Sequence, residues 1–152
     1  MARRFLLPRL HASALLHAKR KPAQGCVVGR AFTKLAGADV VFLDPDNGLA
    51  PSRSKKHFRS SVKYVFEDEV TDWLKRGQSV ILYQHQQRRS LIEQVASQRK
   101  LLDVGNSGFA VSFHRLSVRI YYILPVENHR ARLLERLNYF LESAWRKHFT
   151  RL

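Results

Sequence analysis

Asp39-Val40-Val41-Phe42-Leu43-Asp44-Pro45-Asp46-Asn47-Gly48 decides how this chain is read. Four apolar residues, Val40 to Leu43, stop abruptly at the carboxylate of Asp44. An apolar run of that length, closed by a Pro-Asp-Asn-Gly turn, predicts a buried strand, central in a parallel sheet. The turn then sets two carboxylates and an amide at the strand's carboxyl end. Open α/β sheets bind their ligands there. Asp44, Asp46 and Asn47 are therefore the first candidates for chemistry.

The same pattern recurs downstream. Residues 79–83 read as a second buried strand, which ends in the polar run Gln84-His85-Gln86-Gln87-Arg88. A helix is expected over 64–76, with Glu67, Asp68 and Glu69 early and Lys75-Arg76-Gly77 at its end. Early acids and late bases suit the helix dipole, and the glycine suits a helix stop. A short helix over 28–36 leads into the first strand, 39–44, and a further helix spans 89–101. Residues 105–108 form a turn. Phe109–Phe113 and Val118–Leu124 are closely spaced strands, which predicts an antiparallel hairpin. Residues 127–147 make a long final helix with Leu133, Leu134, Leu137, Phe140, Leu141 and Trp145 on one face. Strands alternating with helices imply βαβ units. The expected fold is α/β, with a mostly parallel sheet to which the C-terminal hairpin adds an antiparallel edge.

The chain's 152 residues suffice for one domain with a real core. A hydrophobic content of 45% excludes a disordered chain. Twenty-seven Lys and Arg against 12 Asp and Glu leave a net charge of +15, which predicts a polyanionic partner, nucleic acid first. The lone Cys26 excludes an internal disulfide and a zinc cluster, and it fits a reducing, cytoplasmic setting. No apolar run approaches the ~20 residues that span a membrane. Residues 1–24 form a basic lead-in, and Met1 to Ala38 contains no acid at all. Such a segment reads as a transit peptide, as a basic arm on nucleic acid or on the domain, or as a replaced start.

Asp44-Pro45-Asp46-Asn47 resembles the Asp-Pro-Pro-Tyr motif of amino-methylating nucleic-acid methyltransferases. Phe42-Leu43-Asp44-Pro45-Asp46-Asn47-Gly48-Leu49, Lys63-Tyr64-Val65, Arg76-Gly77-Gln78-Ser79-Val80 and Tyr83-Gln84-His85 together are similar to a family of uncharacterised bacterial and phage proteins. The similarity runs over roughly residues 30–150. It implies the second half of a class I methyltransferase fold: residues 25–152 as a partial Rossmann-like, three-layer domain whose last two strands are antiparallel. The cofactor so implied is S-adenosylmethionine. Its glycine-rich loop would lie upstream, and residues 1–38 are too short for the βα units that carry it. Asn47 stands where the amino-methylases place the aromatic residue that stacks on a flipped base.

Three readings of function follow. In the first, a methyltransferase-like domain, truncated at its N-terminal half, binds nucleic acid near the Asp44 turn. There Asp44 would accept a hydrogen bond from a target amine. In the second, Asp44 and Asp46 hold Mg²⁺ for a nuclease or phosphoesterase, and His85 positions water. In the third, the chain is a non-catalytic basic binding protein. If the two buried strands are neighbours, His85 lies roughly 5 Å from the Asp44 turn. Lys55, Lys56, Arg59 and Lys63 would grip phosphates beside it, Phe58 would stack on a base, and Arg88 and Arg89 extend the patch. The structural alternatives are that Asp44 caps the turn, that Asn47-Gly48 supplies positive φ, and that the basic loop is merely solvated. An incomplete sheet would expose an apolar edge, so self-association is expected.

Overall fold

A computed structural model describes residues 24–152, apart from 53–55, 57–58 and 103–107. The basic lead-in thus falls almost wholly outside the described residues, as does most of the turn expected over 105–108. The elements in order are α1 (Gln24–Lys34), β1 (Val40–Leu43), a 3-10 turn (Arg59–Lys63), α2 (Glu67–Lys75), β2 (Ser79–His85), α3 (Leu91–Leu101), β3 (Phe109–Phe113), β4 (Arg119–Leu124), α4 (Glu127–Glu142), a second 3-10 turn (Ala144–His148) and β5 (Phe149–Arg151).

The strands form one mixed sheet in the order β1-β2-β4-β3-β5. β1 and β2 pair in parallel, from Val40↔Ser79 to Leu43↔Leu82. The other three pairings are antiparallel. The expectation of a mostly parallel sheet with a hairpin at its edge is therefore corrected. β4 does not add at an edge but returns between β2 and β3. Ile120, Tyr122, Ile123 and Leu124 are all buried, and a central slot gives that apolar strand a hydrogen-bonding neighbour on both sides. Among the described strands the outer places go to β5, beside β3, and to β1, which was expected at the centre: Val41 is buried but Phe42 is 44% exposed.

Side chains alternate across the sheet, so each strand feeds two cores. Val41, Val80, Leu82, Ala110, Ile120, Tyr122 and Leu124 point to one face. They pack against Phe32 and Leu35, Val70 and Trp73 of α2, and Val95 of α3. Phe109, Val111 and Ile123 point to the other face, under Leu133, Leu134, Leu137 and Leu141 of α4. The result is helix, sheet, helix in three layers.

Helix boundaries differ from expectation for local reasons. α1 spans 24–34 rather than 28–36. α2 begins at Glu67 rather than at residue 64, because Val65 is held extended. The Val65 N–H donates to the Gly48 carbonyl (3.0 Å), and the Val65 carbonyl accepts from the Ala50 N–H (2.8 Å). The helix starts where Glu69 reaches back to accept from the Phe66 N–H at 2.9 Å, which is half of a capping box. It stops as expected. The Gly77 N–H donates to the Leu74 carbonyl and the Gln78 N–H to the Trp73 carbonyl, a Schellman closure with Gly77 at φ +80°. Ser90 caps α3 by accepting from the Glu93 N–H at 3.2 Å. α4 ends at Glu142, not at residue 147. The Ser143 hydroxyl donates to the Phe140 carbonyl at 2.6 Å and accepts from the Trp145 N–H at 3.3 Å, which turns the chain out of the helix. Phe149 can then enter β5, with its ring 4.9 Å from those of Phe113 and Phe140. Trp145, expected on the helix's apolar face, is 51% exposed.

Candidate functional site

β1 delivers Asp44 to the carboxyl end of the sheet, as its sequence requires, and Asp44, Asp46 and Asn47 all face solvent. The turn closes with the Gly48 N–H donating to the Pro45 carbonyl at 3.2 Å. Gly48 alone takes positive φ here, at +78°. Asn47 does not share it, contrary to the expectation for an Asn-Gly pair. The Asn47 N–H instead donates to the Lys63 carbonyl at 2.8 Å. Residues beyond the turn run on beside Val65, and Leu49 and Val65 form a parallel bridge. The first two segments of the quoted resemblance are thus stitched together by their backbones.

The fourth segment, Tyr83-Gln84-His85, locks them from beneath. Gln84 is 1% exposed. Its Oε1 accepts from the Leu49 N–H at 2.8 Å and from Gln98 Nε2 at 3.0 Å. A Cβ built on Gly48 would lie 2.0 Å from Gln84 Oε1, so the missing side chain at Gly48 is the space that Gln84 fills. Behind Gln84, Gln98 Oε1 accepts from the Tyr122 hydroxyl. Gln94 Nε2 donates to the His85 carbonyl at 3.0 Å, and Gln94 Oε1 accepts from the Gln87 N–H at 2.7 Å. Burial pushes the Tyr122 hydroxyl well above the ordinary tyrosine range, against the opposing charges of Arg89 and Arg99, so it stays a donor. Buried polar groups satisfied in this way rigidify what they touch. Here they hold both loops at the end of β1 and β2.

The opposite face of the same strand end is open. Tyr83 and His85 lie two apart on β2 and so share that face. Arg119 pairs in register with His85. Arg119 Nε donates to the Tyr83 hydroxyl oxygen at 3.0 Å, and that hydroxyl stands 3.1 Å from His85 Nε2. The Tyr83 hydroxyl thus bridges the guanidinium and the imidazole. Tyr121 packs edge-on to Tyr83, with ring centroids 5.6 Å apart. Burial raises the Tyr121 pKa. The Tyr83 hydroxyl and the Asp44 carboxylate push it the same way, and Arg119 opposes them. Tyr83, His85, Arg119 and Tyr121 form one cluster of aromatics, imidazole and guanidinium, and Asp44, next after the Leu43↔Leu82 pair, continues the chain beside Tyr83.

The other expected site residues divide. Arg88 and Arg89 are exposed on the loop that follows His85. Lys63 is exposed, and its carbonyl supports the Asp44 turn. Lys56 turns away from the turn: it pairs with Asp68 of α2 and lies 5.2 Å from the Phe66 ring centroid. Lys55 and Phe58 lie outside the described residues, and Arg59 is described in its backbone only, as the start of the 3-10 turn. Among the described residues no group of three His, Cys, Asp or Glu side chains is placed to hold a metal ion. Two hollows, of about 370 and 380 Å³, flank Ala50–Ser52 on the sides of α2 and α3. Neither is lined by Asp44, Asp46 or His85. Sequence reasoning missed Arg119 and Tyr121 as site residues. Only the insertion of β4 beside β2 brings them to Asp44, and no local pattern announces that step. No model of a known protein family, no curated protein and no solved structure matches this chain.

Proposed function

We propose that this chain is a methyltransferase-like domain that binds nucleic acid across the end of the sheet carrying Asp44. The observation that carries the proposal is the cluster of Tyr83, His85 and Arg119 at the strand end where Asp44 emerges beside it, in a chain of net charge +15. Each group has a nucleic-acid counterpart. A carboxylate accepts from an exocyclic base amine, an arginine meets phosphate, and aromatic rings stack on bases. The antiparallel pairing of β3 with β4 supports the reading.

Methyl transfer is not part of the proposal. The described glycines do not build a cradle for S-adenosylmethionine in strand–turn–helix context. Gly29 lies within α1, Gly37 follows it, Gly77 is a helix stop, and the Cβ side of Gly48 is filled by Gln84. The domain's role is recognition, with Asp44 reading an amine and the Arg88-Arg89 loop and Arg119 taking phosphates.

Fluorescence anisotropy with labelled oligonucleotides over a salt series tests this reading. Wild-type binding should weaken with salt. Arg119→Ala should flatten the salt slope by about one unit. Asp44→Ala should leave the slope and relax base preference, by about 1–3 kcal/mol between the best and worst base. Absence of binding at low salt, or both variants behaving as wild type, overturns the proposal.

A further inference from the structure

The hairpin between β3 and β4 carries a feature that the site above does not use. Its apex residue, Leu116, is 101% exposed. A single exposed leucine is ordinary, but the backbone of this one is not. Leu116 has φ +69°, and among the described residues no other non-glycine residue takes positive φ. The Ser117 N–H donates to the Arg115 carbonyl at 2.9 Å. That bond, from residue i+2 to residue i about a central residue of positive φ, defines the rare and strained form of the γ-turn. Glycine adopts such a conformation freely, whereas leucine holds it only under constraint.

The constraint is visible at the base of the apex. The Gln86 N–H donates to the Val118 carbonyl at 3.2 Å, and the His114 N–H donates to the His148 carbonyl at 2.9 Å. Arg119 Nη1 reaches the Arg115 carbonyl at 3.5 Å. The apex is therefore a braced projection, continuous through Arg119 with Tyr83 and the Asp44 surface. Its charge is of one sign: residues 104–126 contain no acid, and Arg115 and Arg119 flank the leucine.

We propose that Leu116 is a wedge for duplex DNA. It enters between two base pairs while Arg115 and Arg119 hold the phosphates on either side. Apolar side chains unstack base steps in this way from the minor groove, with cations beside them. The inference rests on the nucleic-acid reading above and extends it by naming the form of the ligand and the residue that deforms it.

The test uses the full chain and a short DNA duplex with 2-aminopurine at a TA step and a fluorophore at one end. Anisotropy reports binding, and 2-aminopurine emission reports unstacking. The wild type should bind and raise the emission. Leu116→Ala should bind about tenfold more weakly with an unchanged salt slope, and should not raise the emission. Because Leu116 packs against nothing, neither Leu116→Ala nor Leu116→Gly should lower the thermal midpoint, which separates a lost wedge from a lost fold. Wild-type binding without a rise in emission, or a rise that survives in Leu116→Ala, overturns the wedge and leaves the nucleic-acid reading standing. So does binding of single strands or duplex RNA in preference to duplex DNA. No binding of any oligonucleotide overturns both.

Discussion

Gly48→Ala probes the joint on which the candidate site is built. Two effects add. An alanine at φ +78° enters left-handed backbone at a cost of about 1–2 kcal/mol. Its Cβ would meet Gln84 Oε1 at 2.0 Å and Cδ at 2.3 Å, so the buried amide must move. Moving it removes the acceptor from the Leu49 N–H and from Gln98 Nε2. A buried donor left without a partner costs about 1–3 kcal/mol. The substitution should therefore lower stability by about 2–5 kcal/mol. Urea unfolding followed by circular dichroism measures this, with the midpoint falling and the m-value unchanged. A cycle with Gln84→Ala separates the two parts, because the collision vanishes in the double variant and only the backbone effect should persist. The double variant should thus be less destabilised than the sum of the singles. Gly48→Ala within about 0.5 kcal/mol of wild type, the range of an ordinary surface substitution, would refute the reasoning.

Glu69 supplies a prediction about pH. Burial raises its pKa from 4.5, and the hydrogen bond from the Phe66 N–H and the charge of Lys56 only partly offset this. A carboxyl with a raised folded-state pKa binds its proton more tightly when folded, so stability falls as pH rises from 4.5 through the folded value. In Glu69→Gln that fall should be absent, so the variant should gain on the wild type across the same pH range, measured as urea midpoints at a series of pH values. Tyr122→Phe deletes the hydroxyl that donates to buried Gln98 Oε1, and thermal melting should show a loss of about 1–3 kcal/mol. An unchanged midpoint would mean that the buried glutamine chain closes without the tyrosine.

Much of this molecule is written locally. Val40–Leu43 and Val80–Tyr83 are continuous apolar runs and both form strands, although only β2 is buried along most of its length; β1 lies at the edge with Phe42 44% exposed. Phe109–Phe113 and Val118–Leu124 are a hairpin by spacing alone, and α2 ends where Lys75-Arg76-Gly77 says it must. Asp44 reached the carboxyl end of its strand for the same reason: a charge cannot continue a buried run, so the chain turns there. These signals depend on residues within a few positions of one another, which is why one sequence suffices to read them.

Tertiary structure decided what lay between distant residues. Periodicity tells which face of β4 is buried, but not that the strand returns between β2 and β3. That choice made the sheet mixed and brought Arg119 and Tyr121 beside Asp44. A loop lysine reads as a phosphate grip until α2 offers it Asp68. Residues 143–147 read as the end of a helix until Ser143 turns the chain, and Phe149 then finds the edge that β3 leaves to pair. Gly48 reads as a turn residue, yet its need to be glycine comes as much from Gln84, 36 positions later in the chain, as from its own φ. Hydrogen bonds and close contacts are made between whichever groups the fold brings together, and that depends on the order of the strands, which no single segment carries.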